Sequence, residues 1–292
     1  MTELAKSLLT GLIDYAGLFP PAGLEMDGAV RNYDSYLNGE HAWMLGRFVV
    51  PAARLPEFTE SATRLGVDVG TWRLSVLASA NDAAALAEFD QAHIESIEIR
   101  ANNADEIKEA ARVYSGDALR AGCHLYFEPL PAQWTSVLQT IGVARARAKI
   151  RTGGEQASAI PTEGSVLQFL RLARERRLAF KATAGLHNPL RALQRLTYKQ
   201  DSASALMHGF VNVFAAATLL WHEPKMSQEA AWILAERDPD AVTMESDTMI
   251  WQNSSVVLTA QQIREAREHF CISFGSCSFT EPIADLRALE WL

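Results

Sequence analysis

Short runs of alternating apolar and polar residues recur along the chain, and most are followed by a stretch with helical periodicity. Alternation with a period of two is typical of a strand with one buried face, whereas apolar residues three and four apart are typical of an amphipathic helix. The predicted strands are residues 44–50, 72–78, 96–100, 123–129, 147–153, 179–185, 208–214 and 271–277. The predicted helices that follow them include residues 55–65, 82–92, 104–114, 132–143, 162–176 and 281–291. This alternation predicts an α/β fold, a (β/α)8 barrel, with a doubly wound open sheet as the alternative.

Residues 1–40 precede the alternation and contain two helical stretches, separated by Gly17 and the Phe19-Pro20-Pro21 sequence. A glycine followed soon by proline is a helix stop. The interval after the predicted seventh strand is far longer than the others and holds helical stretches at residues 228–237 and 260–270. We therefore predict a single domain over residues 1–292, with an N-terminal helical extension over residues 1–40 and the barrel over residues 41–292. A long insertion is predicted between strands 7 and 8.

The composition is typical of a soluble globular protein, because 48% of the 292 residues are hydrophobic and 21% are charged. A net charge of −8 argues against a general nucleic-acid binder, which needs a basic face. No apolar run approaches the roughly 20 residues of a membrane span. Cys123, Cys271 and Cys277 have no paired short spacing, so no disulfide framework is indicated and a cytoplasmic protein is expected.

Signatures of a bound cofactor or metal ion are missing from the sequence. No Gly-x-Gly-x-x-Gly fingerprint follows the first predicted strand, and neither a Walker-type loop nor a metal-binding histidine spacing is present. We therefore predict neither a cofactor nor a metal. The sequence leaves open whether the chain forms a homo-oligomer.

The strand faces that point away from the helices carry many charged side chains. In a barrel the helix-facing side of each strand must be apolar, so the alternate residues point inward. This rule places six cations and two carboxylates on the inward side: Arg47, Arg73, Arg100, Lys149, Arg151, Lys181, Glu98 and Glu128. Because an unpaired buried charge is costly, the excess of cations predicts a bound anion, either a phosphate or a carboxylate.

Two segments combine an inward lysine with a glycine at the end of the strand, AKIRTGG at residues 148–154 and AFKATAG at residues 179–185. A lysine crowded by other cations has its ammonium form disfavoured, and the neutral amine can attack a carbonyl carbon. We predict Lys181 and Lys149 as the candidate nucleophiles and Glu128 as the general acid–base. The predicted substrate contacts are Arg151, Arg100, Thr183, Gly153, Gly154, Gly185, His187, Asn212, Ser273 and Gly275. The alternative interpretation is structural, with both lysines bonded to Glu98 and Glu128.

The segments KIRTGG and FKATAG resemble the lysine-bearing strands of class I aldolase barrels, particularly those of the deoxyribose-phosphate aldolase family. In that family the Schiff-base lysine lies in a Lys-Thr-Ser/Thr-Gly strand, and the next strand carries a second lysine before small residues and glycine. The resemblance implies that Lys149 matches the first lysine and Lys181 the second. Arg151 departs from the family, which has a small hydroxyl residue there. The two strands are also the fifth and sixth predicted here, instead of the sixth and seventh.

The two ends of the chain, IDYAGLFPPAG and FGSCSFTEPIADLRALEWL, resemble an uncharacterised bacterial family, and that resemblance implies no function. Taken together, the residues predict an aldolase or lyase that acts on a small anionic carbonyl compound through a lysine Schiff base. One alternative is a sugar-phosphate isomerase or epimerase, in which Glu128 moves protons without a covalent adduct. The other is a non-catalytic binder of anionic metabolites.

Overall fold

Eight parallel strands close into a barrel in the computed structural model, which describes residues 1–114 and 122–292. In chain order the strands are β1 (Ile13–Tyr15), β2 (Leu45–Pro51), β3 (Arg73–Leu77), β4 (His93–Arg100), β5 (His124–Glu128), β6 (Arg147–Arg151), β7 (Phe180–Thr183), β8 (Ala192–Arg195), β9 (Ser204–Met207), β10 (Val242–Met244), β11 (Thr248–Trp251), β12 (Val256–Thr259) and β13 (Cys271–Ser276). The barrel consists of β1 to β7 and β13, with β1 between β13 and β2. The predicted (β/α)8 barrel is therefore confirmed.

Helices surround the barrel and fill the connections between its strands. They are α1 (Glu3–Leu9), α2 (Met26–Leu37), α3 (Leu55–Leu65), α4 (Ala83–Glu88), α5 (Ala104–Val113), α6 (Trp134–Val143), α7 (Glu163–Glu175), α8 (Phe210–His222), α9 (Ser227–Ala235), α10 (Ala260–His269) and α11 (Thr280–Ala288). Apolar strand residues such as Phe48, Ile97 and Phe180 are buried against them, as the predicted outward faces require. Within the described ranges, none of the helices has the length and apolar content needed to cross a membrane.

The first barrel strand lies inside the predicted N-terminal helical extension. Strand β1 pairs with β2 on one side and β13 on the other, so the barrel begins at Ile13 and not at residue 41. The helices α1 and α2 on either side of it are helical as expected. A strand of only three residues shows too little periodicity to be told from the apolar helix before it. The assignment of residues 1–292 to one domain stays a prediction.

The predicted strand at residues 208–214 is wrong, because helix α8 begins at Phe210. This helix is buried on all sides, and a run of apolar residues without a polar face does not distinguish a buried helix from a buried strand. The correction makes β6 the sixth barrel strand and β7 the seventh, which removes one departure from the aldolase pattern. The long insertion between the seventh and eighth barrel strands is confirmed, and it contains the β8–β9 hairpin, α8, α9, the β10–β12 sheet and α10.

The error moves Asn212 from the predicted barrel mouth into the insertion. Its side chain is fully buried, accepts a hydrogen bond from the backbone N of Arg191 at 2.9 Å, and donates to the carbonyl oxygens of Ile233 at 2.6 Å and Glu236 at 3.0 Å. Asn212 therefore ties helix α8 to the end of α9 and to the hairpin segment, and it does not line the cavity at the barrel mouth.

We expect Asn212→Ala to lower the free energy of unfolding by about 2–3 kcal/mol, because it leaves buried backbone groups without a partner. The exposed Asn253, which donates one bond to the Glu236 side chain, is the control, and Asn253→Ala should change stability by less than about 0.5 kcal/mol. Urea denaturation measures both. Unchanged stability in Asn212→Ala, together with weaker ligand binding, would restore the substrate-contact interpretation.

Candidate active site

The two lysines of the predicted site lie side by side in the barrel interior. Lys149 on β6 is in register with Lys181 on β7, and Arg151 is in register with Thr183 one layer nearer the C-terminal ends. Both lysines are almost fully buried. The strand phase predicted from the sequence is therefore correct for this pair, and their surroundings decide their chemistry.

Lys181 has an acceptor for each of its three ammonium hydrogens. Its Nζ lies 2.7 Å from Asp14 Oδ2 and 2.5 Å from Glu98 Oε1, and it donates to Ser75 Oγ at 3.1 Å. Burial alone would lower the pKa of Lys181, but the charges of Asp14 and Glu98 outweigh it and raise the pKa above the ordinary value. The predicted destabilisation of the ammonium form is therefore wrong for Lys181, because the carboxylates outweigh the neighbouring cations.

Lys149 has fewer partners than Lys181. Its Nζ lies 2.6 Å from Glu98 Oε2 and 2.8 Å from Glu128 Oε2. Among the residues that the structure describes, no third acceptor lies within hydrogen-bonding distance of this nitrogen. Lys149 also lines both of the cavities that open at the C-terminal ends of the strands. One direction at the Lys149 amine is consequently available to a ligand.

Each lysine shares the same carboxylate, because Glu98 presents one oxygen to Lys181 and the other to Lys149. Burial would raise the pKa of Glu98, yet the two ammonium charges hold it far below its usual range. The pKa of Asp14 is lowered in the same way, against burial, by Lys181 and Arg47, and that of Glu128 by Lys149 and Arg151. All three carboxylates are therefore ionised at neutral pH.

Around the two lysines, the expected excess of buried cations is not found. Arg47 pairs with Asp14 and with Glu95, and Arg151 Nε lies 2.8 Å from Glu128 Oε1, so a continuous series of ion pairs crosses the barrel. Asp14 was not among the predicted site residues, because it lies in the N-terminal segment that was predicted to be helical. The charge of the interior therefore gives no argument for a bound anion. Any such argument rests on the cations at the mouth, Arg100 and the 40% exposed side chain of Arg151.

A cavity of about 310 Å³ lies at the mouth, above the ends of β1, β6, β7 and β13. It brings together most of the predicted site: Lys149, Lys181, Arg100, Arg151, Thr183, Gly154, Gly185, His187 and Gly275. Its wall includes Leu196 and Met207 from the β8–β9 hairpin and Pro20-Pro21 from the N-terminal segment. His187 lies at the rim with Nδ1 3.4 Å from Glu281 Oε2. The cavity is thus built from the barrel, the insertion and the segment after β1.

Three predicted residues lie close by without lining this cavity. Glu128 lines a second cavity over β2 to β5, and Ser273 stands behind the site, where its hydroxyl donates to Asp14 Oδ2 at 2.9 Å. Gly153 packs against Gly185, and a Cβ at Gly153 would lie 2.8 Å from the Gly185 Cα. Glycine at these two positions therefore allows the segments that follow β6 and β7 to pack closely against each other.

Asp14 and Glu98 are the site residues that the sequence-based prediction left out. Glu98 was placed on an inward face but only as a structural partner. Each buried ammonium has three hydrogens that need acceptors, so two inward lysines required more acceptors than Glu128 alone could supply. This requirement pointed to Glu98. Asp14 carried no local signal, because its role depends on the pairing of β1 with β13 across the barrel closure. In the described part of the chain, no group of three or more His, Cys, Asp or Glu side chains could hold a metal ion.

A scan against protein-family models and a search of curated proteins found no match to this chain. Among solved structures, the chain is similar to a tetrameric deoxyribose phosphate aldolase from Aeropyrum pernix, with 14% identity. The similarity covers 64% of this chain and 86% of the aldolase, with a TM-score of 0.41. This is the family that the two lysine segments resemble. A likeness of that degree carries no argument about activity, so the chemistry rests on the site itself.

The lowered pKa values of the three buried carboxylates make the free energy of unfolding depend on pH in the acid range. Between the unfolded and folded pKa values of Asp14, Glu98 and Glu128, the unfolded chain binds more protons, so stability is present above about pH 4 and falls as the pH drops below it. We expect Glu98→Gln to lower the free energy of unfolding by about 3–5 kcal/mol at neutral pH and to weaken its dependence on pH in the acid range. Urea denaturation between neutral and acid pH measures both effects, with Glu60→Gln, an exposed carboxylate, as the control. Equal acid dependence in all three proteins would contradict the assignment.

Proposed function

We propose that this protein is an aldolase-type lyase that forms a Schiff base between Lys149 and the carbonyl carbon of a small anionic compound. The observation that carries the proposal is the buried Lys149 amine, held between two carboxylates with one direction open towards a cavity. Lysine amines in such positions form iminium ions, which accept electrons when a neighbouring C–C bond breaks. Lys181, with three acceptors and a raised pKa, acts as the fixed ammonium beside it.

Attack on a carbonyl needs the neutral amine, so a proton must first leave Lys149. Glu128 Oε2 lies 2.8 Å from Lys149 Nζ, and of the two carboxylates that contact Lys149 it is the one that does not also bind Lys181. The amine then adds to the carbonyl carbon, and a proton passes from the attached nitrogen to the former carbonyl oxygen to give a carbinolamine. Glu128 returns its proton to the carbinolamine hydroxyl, which leaves as water. The iminium formed carries one positive charge in the place of the ammonium, so the charge balance with Glu98 is unchanged.

Cleavage follows from this iminium. Glu128, again a carboxylate, removes the proton from a hydroxyl on the carbon next but one to the iminium carbon. The bond between that hydroxyl-bearing carbon and the carbon adjacent to the iminium carbon breaks. A carbonyl forms on the departing fragment, and the electron pair neutralises the iminium as an enamine. Protonation of the enamine carbon and addition of water release the second carbonyl product and regenerate the amine. The proton that Glu128 took from the hydroxyl is the one that it donates to the enamine carbon.

The anionic group of the substrate is assigned to the cations and backbone at the mouth. Arg100 and Arg151 border the first cavity, and the turn after β7 presents backbone at Gly185, which has a positive φ of 77°. Guanidinium groups and backbone N–H groups in such turns bind phosphate and carboxylate. Thr183, Gly154 and His187 lie on the same wall. We place the enzyme in the cytoplasm, consistent with its unpaired cysteines.

One observation favours the isomerase alternative. Both buried lysines are paired with carboxylates, and a lysine held as ammonium polarises a carbonyl by hydrogen bonding without attacking it. On that mechanism Glu128 would move a proton between adjacent carbons, and no covalent adduct would form. The two mechanisms therefore differ in whether a covalent adduct forms between the protein and the substrate.

Borohydride reduction with a panel of small aldehydes, ketones and keto acids, followed by intact mass, separates them. We expect a stable adduct in the wild type and in Lys181→Arg, and none in Lys149→Arg. The arginine variants keep the charge that the buried carboxylates require, so they avoid the loss of about 3–5 kcal/mol expected for removal of one ion-pair partner. Circular dichroism checks that each variant is folded.

An adduct that survives in Lys149→Arg but disappears in Lys181→Arg would exchange the roles of the two lysines. No adduct with any carbonyl compound, in a wild-type protein whose melting temperature still rises with phosphates or carboxylates, would favour the isomerase or the binder.

A further inference from the structure

A second cavity, of about 740 Å³, lies beside the first over the ends of β2 to β5. The two cavities share four lining residues, Leu77, Glu98, Arg100 and Lys149. Lys181 lines only the first cavity and Glu128 only the second. The Lys149 amine is therefore at the junction, with space on both sides. A molecule joined to Lys149 can extend in two directions, and the two directions differ in chemistry.

The floor and inner wall of the second cavity are apolar. They consist of small or aliphatic side chains at the ends of β2, β3 and β4 and on helix α5: Pro51, Ala52, Leu77, Ala80, Ile99 and Ala110. Small side chains at these positions leave space that larger residues would fill. The volume is more than twice that of the first cavity. An apolar group of a ligand would be removed from water here.

The rim of the second cavity is acidic, whereas the border of the first cavity carries two arginines, Arg100 and Arg151, and one exposed carboxylate, Glu155. Asp82, Asp105, Glu106 and Glu109 line the rim, and Glu128 lies deeper. Lys108 and Arg112 pair with Asp105 and Glu109 but do not line the cavity. Besides Lys149, the lining cation is Arg100, at the junction with the first cavity. A phosphate or carboxylate in the second cavity would face like charge, which disfavours binding.

We propose that the second cavity binds the uncharged, largely apolar half of the substrate, while the first cavity binds the anionic half. The inference rests on the proposed function, since it places the two halves on either side of the carbon attached to Lys149. The substrate class is then a carbonyl compound with an anion at one end only and an apolar group at the other. Compounds with an anion at both ends are excluded by the acidic rim. In the lyase direction, the bond that breaks separates an anionic product from an uncharged one.

Binding of alkyl phosphates, which cannot form a Schiff base, tests the inference separately from the catalytic proposal. Isothermal titration with ethyl, butyl and hexyl phosphate should show affinity rising about fourfold for each methylene that is buried. The bisphosphate of hexanediol should bind at least about tenfold more weakly than hexyl phosphate.

Two variants place larger side chains in the second cavity, Ala80→Leu and Ala53→Leu, of which the second is at an exposed position and so tolerates the change. Each variant should lose most of the increase in affinity between ethyl phosphate and hexyl phosphate. Ala84→Leu, on an exposed part of α4 that does not line the cavity, should keep the gain. Glu109→Lys should narrow the difference between hexyl phosphate and the bisphosphate, whereas Glu60→Lys, away from the cavity, should leave it unchanged.

Affinity that does not depend on chain length, or a bisphosphate that binds as well as hexyl phosphate, would overturn the inference, as would failure of all the phosphates to bind. The borohydride experiment decides the proposed function independently. If an adduct forms at Lys149 but affinity does not depend on chain length, the proposed lyase function stands and the role of the second cavity is contradicted. If affinity depends on chain length but no adduct forms, the role of the second cavity in binding stands and the Schiff-base mechanism is contradicted.

Discussion

The shared carboxylate of Glu98 is the interaction on which the rest of the site depends. Each of its oxygens accepts from a different lysine, and the two lysines come from neighbouring strands in register. Neither ammonium could remain charged in the barrel interior without such a partner, because an unpaired buried charge costs several kcal/mol. The closed barrel brings Asp14 to the far side of Lys181 and thereby completes the set. The surroundings of the two lysines are therefore polar and matched in charge, instead of cationic.

The difference between the two lysines comes from the number of their partners. Lys181 contacts Asp14, Glu98 and Ser75 and lines only the first cavity, whereas Lys149 contacts two carboxylates and lines both cavities. The same contacts that stabilise the fold thus distinguish a saturated ammonium from one with a direction open to a ligand. Under the proposed mechanism, Lys149 would react once one proton moved to an adjacent carboxylate, and the iminium would occupy the same electrostatic environment.

The segments outside the regular βα units shape the mouth of the barrel. The Phe19-Pro20-Pro21 segment, shortly after β1, lines the first cavity, and the β8–β9 hairpin contributes Leu196 and Met207 to it. Asn212 holds the first turn of α8 to the segment before the hairpin and to the end of α9. The long insertion therefore provides a wall of the first cavity. The second cavity, in contrast, is formed by the shorter connections after β2, β3 and β4.

Local periodicity in the sequence was enough to predict the barrel class and the inward phase of Lys149, Lys181, Glu98 and Glu128, because alternation along a strand is visible within a few residues. It was not enough for β1 or for α8. A three-residue strand is too short to show a period, and a helix buried on all sides has no polar face. Only the closure of the barrel brought Asp14 to Lys181, since that contact joins residues far apart in the chain. Charge balance, the roles of the two lysines and the place of Asn212 depend on such distant pairings, which is why the tertiary structure alone decided them.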